Sequence, residues 1–288
     1  MERRWQGALA WVAAPVIAGC MLFDTHTHLA SRQFDSDLPE VLARARAAGV
    51  TRFLAPAVDL ASTRQLLELA AREPDVRLAA GIHPCDVDSV QGDAWIDELR
   101  DLASQPGVAA IGEIGLDYYH APPAGYTVDT WKARQARCLR LQLELAVELG
   151  LNVVLHNRES WEDLVAQVQP FEGRLRAVFH CYTGTLEQAR PLLEAGHLIS
   201  FTGIVTFKNP GPAAETVRTV PDGAYMLETD SPYLAPVPHR GRRCESAYVA
   251  DTARAVAALR GQSFETVAAT TTATALQFFR GFHGAPSR

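Results

Sequence analysis

Eight short apolar runs, separated by helical stretches, limit what this chain can become. They are MLFDTH (21–26), RFLAPAV (52–58), RLAAGIH (77–83), VAAIGEIG (108–115), NVVLHN (152–157), RAVFHC (176–181), HLISFTG (197–203) and YMLETD (225–230). The helical stretches between them include LPEVLARARAAG (38–49), LASTRQLLELAAR (60–72), DAWIDELRDLAS (93–104) and WKARQARCLRLQLELAVELG (131–150). ESWEDLVAQV (159–168), TLEQARPLLEAG (185–196) and ESAYVADTARAVAALRG (245–261) continue the alternation. Gly49, Gly150, Gly196 and Gly261 stand at or near the positions where a left-handed cap ends a helix. Strands apolar on both faces and alternating with helices form parallel sheets that helices cover. Eight repeats predict closure into a (β/α)8 TIM barrel, and the 288 residues suit that fold, which takes about 250. The helix before the eighth strand is expected to be short, because residues 209–222 hold three prolines. SFETVAATTTATALQFFRG (263–281) reads as an extra C-terminal helix packing its Phe and Leu side chains onto the barrel.

In such barrels the chemistry sits at the C-terminal ends of the strands. Here the first run leads into Asp24, His26 and His28, the third into His83, and the fourth holds Glu113. The fifth ends at His156, the sixth at His180 and the eighth at Asp230. Residues two apart on a strand share a face, so His26 and His28 are expected to project together. Each residue alone has an ordinary reading: a histidine satisfied in the core, an acid paired with arginine, a turn cap. Gathered at one rim they require a common partner, since buried unpaired carboxylates are costly. Four His, one Glu and one Asp exceed a single open tetrahedral zinc site and suit two divalent cations sharing a carboxylate. Glu113 is the natural bridge, His26, His28 and Asp230 complete one shell, and His156 and His180 the other. Nitrogen and oxygen donors suit Zn, Mn or Co, whereas Mg prefers more oxygen. Asp230 doubles as the general base and, with Glu113, carries the catalytic expectation.

The remaining composition narrows the field. A net charge of -6 supplies no global field toward nucleic acid or anionic membrane, so a phosphate-bearing substrate needs local cations or metal. Five widely spaced Cys and no C-x-x-C exclude a disulfide framework and a thiolate zinc knuckle, and fit a reducing, cytoplasmic setting. Substrate contacts are expected from Lys208, Arg240 and Arg242, because barrels often hold phosphate on the loops after strands seven and eight. One or more arginines of HRGRR (239–243) has the plainer reading of a solvated basic turn. Arg158 and His83 are further candidates, and for His83 a structural GIHP turn weighs equally. Cys181, next to His180, is read as packing. The Pro/Gly-rich segment 118–131 is expected to act as a lid.

FDTHTHL, GIHP, IGEIGLDYY, LHNRE, FHCYTG, FTGIVTFKN and ETDSPYLAP, in this order over about residues 21–282, resemble the TatD family of metal-dependent deoxyribonucleases. The resemblance implies an amidohydrolase-type barrel with a binuclear metal site whose ligands fall on His26, His28, Glu113, His156, His180 and Asp230. It implies metal-dependent hydrolysis of DNA, often from the 3′ end, with DNA as partner. Where the family usually reads RGKRNEPA this chain has RGRRCESA (240–247), with Cys244 and Ser246 replacing Asn and Pro. The rivals are an aminoacyl-tRNA deacylase, a small-molecule ester or amide hydrolase and a non-catalytic binding protein. A carboxylated-lysine bridge, common in related barrels, is unavailable on the fourth strand. No dimerisation feature is evident, and a monomer without membrane attachment is expected.

MERRWQGALAWVAAPVIAGC (1–20) resembles a signal peptide ending in a lipoprotein box. Lipidation at Cys20 would leave no tether before the first strand, so this stretch is expected to be an upstream extension before a start at Met21. Residues 283–288 form a short tail. Mass spectrometry of the native amino terminus is expected to find no acylated Cys20.

Overall fold

One side chain from each strand builds the layer that fills the middle of the molecule. A computed structural model describes residues 21–282, and both the expected extension 1–20 and the tail 283–288 lie outside the described residues. The strands are β1 (Leu22–Asp24), β2 (Val50–Pro56), β3 (Val76–Ala80), β4 (Val108–Asp117), β5 (Val153–Arg158), β6 (Ala177–Phe179), β7 (Leu198–Phe201) and β8 (Tyr225–Leu227). Each pairs in parallel with the next, in the order of the chain. Phe23, Leu54, Ala79, Ala110, Val154, Val178, Leu198 and Met226 meet in a single apolar cluster. The other strand face packs Leu22, Phe53, Leu78, Ile111, Val153, Phe179, Ile199 and Tyr225 against the surrounding helices. This double burial is why the strands are apolar on both faces.

The helices are α1 (Leu38–Ala47), α2 (Leu60–Arg72), α3 (Trp95–Ala103), α4 (Val128–Leu149), α5 (Trp161–Val168), α6 (Leu186–Glu194), α7 (Ala213–Thr219), α8 (Val249–Arg260) and α9 (Phe264–Phe278). With β1–β8 they make the (β/α)8 barrel and its extra C-terminal helix. Gly150 and Gly261 end α4 and α8 in the left-handed conformation that a side chain would strain. The proline-rich stretch yields only the seven residues of α7. Helix α4 starts at Val128, earlier than its apolar pattern suggests, because Thr127 and Thr130 form a reciprocal capping box. The segment expected as a lid is therefore shorter, 118–127. Its base is pinned, with Tyr118 donating to Asp163 at 2.8 Å.

Ladders end sooner than the apolar runs: β1 stops at Asp24, β3 at Ala80 and β8 at Leu227. Beyond them the backbone still closes the barrel between its first and last strands. Thr25 N–H donates to Leu227 O at 3.2 Å, Asp230 N–H to His26 O at 2.9 Å and His28 N–H to Ser231 O at 2.8 Å. The opposite end is stoppered by α9. Phe278, Phe279 and Phe282 join the interior cluster. Two hydrogen bonds tie α9 to the strand starts, Asn152 donating to Phe278 O at 2.6 Å and Thr272 of the helix donating to Met21 O at 2.9 Å. No helix among the described residues is long and apolar enough to cross a membrane.

Phe279, 1% exposed, fills the bottom of the barrel. Phe279→Ala is expected to cost about 3–5 kcal/mol of stability. Urea unfolding should report it as a lowered midpoint at unchanged slope.

Candidate metal centre

Glu113, 1% exposed, lies on β4, and its two carboxylate oxygens face different neighbours. Oε2 is 3.2 Å from His26 Nε2 and 3.8 Å from His28 Nε2. Oε1 is 2.8 Å from His156 Nδ1, 2.8 Å from His180 Nε2 and 3.6 Å from His83 Nε2. Asp230 Oδ1 closes the first side, 3.3 Å from His28 Nε2 and 3.8 Å from His26 Nε2. The six residues expected as ligands, drawn from five strands and the segments that follow them, thus meet around one carboxylate, with Glu113 four residues before the end of β4 and His83 joining them.

His26 and His28 lie beyond the end of β1, so the strand ladder does not aim them. The extended backbone continues through a bridge between Thr27 and Ser231, and the alternation outlives the ladder. Thr27 points the other way, its hydroxyl 2.7 Å from that of Ser231. Asp230 sits in the left-handed region at φ 59°, a conformation that short polar side chains tolerate.

The electrostatics need a balancing charge. Burial pushes the Glu113 carboxyl up, but His180, His26 and His83 outweigh it and hold the group well below its ordinary range. Burial also pushes His180 down, and the ionised Glu113 reverses this and holds it well above the usual histidine value. His26 stacks on His180 with ring centroids 4.0 Å apart. Burial, followed by the charge on His180, keeps His26 below its ordinary value. The donor set fits a cation on geometry as well. His26 Nε2 and His28 Nε2 face each other at 3.3 Å, where at most one can donate, and buried His26 Nδ1 has no partner. Nitrogen lone pairs and carboxylate oxygens converging on one space suit divalent ions.

Three carboxylates that the sequence reading left without a role hold this set in place. Asp24 accepts from Thr229 N–H at 2.9 Å and from the Thr229 hydroxyl at 2.7 Å, stitching β1 to the segment after β8. Glu228 accepts from Cys181 N–H and from the Ser200 hydroxyl, both at 2.7 Å, and its Oε1 stands 3.5 Å from His180 Nδ1. Asp117 lies 3.0 Å from His156 Nε2, the arrangement by which carboxylates orient metal-binding imidazoles. Asp117 and Glu228 share motifs with Glu113 and Asp230 (IGEIGLD and LETD), but nothing in spacing alone separates an orienting acid from a ligand.

The proposed substrate contacts are more dispersed. Lys208, Arg240, Arg242 and Arg158 are exposed. Two are held by stacking: Arg240 lies 3.7 Å over the Phe207 ring and Arg158 3.9 Å over that of Tyr119. The neighbouring Arg243 is engaged elsewhere, donating to Asp37 at 2.6 Å and to Glu245 at 3.1 Å. Glu245 also receives Arg44 at 2.7 Å. Cys181 places its sulfur 3.6 Å from the Thr202 hydroxyl.

A barrel with a carboxylate between two groups of imidazoles at its C-terminal rim is the architecture of a metal-dependent hydrolase. The model of the family described as TatD related DNase matches residues 23–280, and the chain belongs to that family. It is 38% identical over 264 residues to the uncharacterized metal-dependent hydrolase YabD of Bacillus subtilis, covering 90% of this chain and 99% of the relative. Identity to the 3′-5′ ssDNA/RNA exonuclease TatD of Salmonella typhimurium is 34% over 267 residues, covering 90% of this chain and 98% of that one. Among solved structures, the TatD homologue YjjV of Escherichia coli K12 superposes with a TM-score of 0.82 at 26% identity, over 91% of this chain and 99% of that one.

Two measurements probe the site. Glu113→Ala is expected to lose at least tenfold in bound metal after dialysis, read by mass spectrometry of the metal content, while its circular dichroism stays native. Burial pushes Asp24 up to about 7, against its Thr229 hydrogen bonds. A carboxyl raised in the fold keeps its proton where the unfolded chain has lost it, so its contribution is complete below about pH 4 and is lost as pH rises toward 7. In the metal-free protein, Asp24→Asn should flatten that fall in stability between pH 4 and 7.

Proposed function

We propose that this chain is a deoxyribonuclease of exonuclease type, releasing nucleotides from the 3′ end of single-stranded DNA. In this reading His26, His28, Glu113, His156, His180 and Asp230 hold two divalent cations, with Zn, Mn or Co better suited than Mg to so many nitrogens. The observation that carries it is the division of the Glu113 oxygens, Oε2 toward His26 and Oε1 toward His156 and His180. DNA as substrate is supported by the family description and by the printed name of the Salmonella relative. The cations, when bound, supply an activated water and positive charge for the phosphoryl oxygens.

The chain's own groups do the rest. Asp230, with 14% of its side chain exposed, faces both the imidazoles and the open rim, where it takes the proton of the attacking water. His83 is a donor in this scheme. Its Nδ1 accepts from Cys85 N–H at 3.1 Å, so the ring proton resides on Nε2, which points into the site. There it donates to a phosphoryl oxygen as charge accumulates. Lys208, Arg240, Arg242 and Arg158 track the phosphate backbone, replacing the global positive field that the chain lacks. The exposed rings of Tyr119 and Tyr233 offer faces on which unpaired bases stack. The free thiols among the described cysteines suit a reducing cytoplasm, and the enzyme acts as a monomer.

The deciding assay presents metal-reconstituted enzyme with end-labelled single-stranded DNA, aminoacyl-tRNA and a lactone panel. Mononucleotides released from the 3′ end are expected; turnover of tRNA esters or lactones without DNA cleavage would replace this reading. His83→Ala should lower kcat on DNA on the order of 10²-fold with little change in KM. Arg240→Ala should instead raise KM and weaken its dependence on salt.

A further inference from the structure

A second group of metal-ligating side chains stands beside the Glu113 cluster, and of its members only Asp117, which orients His156, has been given a part. Cys85 lies in the 3-10 turn Pro84–Ser89 after β3, Asp117 is the last residue of β4, and His120 follows in the loop. The three offer ligand atoms that all lie within 4.8 Å of one another. Cys85 Sγ is 3.7 Å from His120 Nδ1, and that nitrogen is 2.9 Å from Asp117 Oδ2.

The acid at the centre of this group is rigidly held. Asp117 Oδ1 accepts from Tyr119 N–H at 3.0 Å and from His120 N–H at 2.9 Å. The Gln135 side-chain amide pairs with both backbone groups of Asp117, at 2.9 and 3.0 Å. Only Oδ2 is left to turn toward the two histidines. Asp117 is buried, whereas 54% of the His120 side chain is exposed, so the group opens to solvent on one side.

We propose that Cys85, Asp117 and His120 form a third cation site, suited to a borderline-soft divalent ion such as Zn2+. A thiolate, an imidazole and a carboxylate make a three-ligand set that leaves a fourth position for water, and the sulfur discriminates against Mg2+ and Ca2+. Ligands bound to tetrahedral zinc at its usual bond lengths stand about 3.3–3.8 Å apart. The sulfur–nitrogen separation already matches, and the nitrogen–oxygen pair must open by only a few tenths of an ångström when a cation replaces the shared proton. Because Asp117 Oδ2 also lies 3.0 Å from His156 Nε2, the site abuts the Glu113 cluster across a single imidazole. A cation there clamps the loop after β4 to the turn after β3, its two charges balanced by the thiolate and the carboxylate as the thiol proton is released. The inference stands apart from the binuclear reading, since none of its three ligands belongs to that set.

Cobalt distinguishes the two sites, because the Glu113 cluster contains no sulfur. Full-length protein stripped of metal under reducing conditions is titrated with Co2+ and followed by absorption. A near-ultraviolet thiolate-to-cobalt band is expected to saturate at one equivalent of the total bound. Cys85→Ser should abolish that band, and His120→Ala should weaken cobalt binding at this site at least tenfold. Both variants should keep the visible d–d absorption of cobalt on the remaining ligands, which also reports that they are folded. Visible absorption without the charge-transfer band in the unaltered protein overturns the third site and leaves the Glu113 centre standing. A band that survives in Cys85→Ser also overturns it, and a charge-transfer band with no further cobalt bound overturns the binuclear reading instead.

Discussion

A carboxylate buried among imidazoles is the constraint from which the rest of this site follows. Isolated, Glu113 would lose most of its hydration with nothing in return, and such a group would take up a proton. Here imidazoles surround it on two sides, and against the effect of burial its charge holds the His180 ring well above the usual histidine value. Burial lowers both stacked rings, but Glu113, 2.8 Å from His180, outweighs it there and raises that ring, whereas the charge on His180 pushes His26 down further. A metal cation placed among these lone pairs and carboxylate oxygens would satisfy them together.

Around that centre, a ring of further acids acts by position. Asp24 joins the first strand to the segment after the last, so the two chain regions carrying His26, His28 and Asp230 are fixed to each other. Glu228 and Asp117 stand behind His180 and His156. The barrel therefore divides along its axis. At the strand starts, α9 and its phenylalanines close an apolar plug that serves stability. At the strand ends, polar groups that would be intolerable in that plug are gathered and matched. Change at the bottom alters stability through packing, whereas change at the top alters charge balance.

Much of this was legible in the chain itself. The eight apolar runs and their helices match the observed elements to within a few residues, because strands buried on both faces and helices with one apolar stripe have distinct periods. The residues of the Glu113 cluster were recognisable because each stands within or just after an apolar run, where a polar group is out of place. Less legible were the acids behind them. Asp24, Asp117 and Glu228 are strand-end carboxylates like Glu113 and Asp230, and which acids face the centre depends on backbone turns after the ladders stop. His83 shows the same limit: that its Nδ1 accepts from Cys85 N–H, leaving Nε2 toward Glu113, is in no spacing rule.

The linear order of residues thus determined the fold class, the rim on which chemistry is placed and the identity of the clustered imidazoles and acids, because hydrophobic period and strand-end polarity are local properties. Tertiary structure alone decided how the two Glu113 oxygens are shared, which arginines are stacked and which are neutralised, and that Cys85 meets His120. Those outcomes depend on the approach of segments distant in the chain, set by barrel closure and side-chain packing, and sequence patterns carry no distance between them.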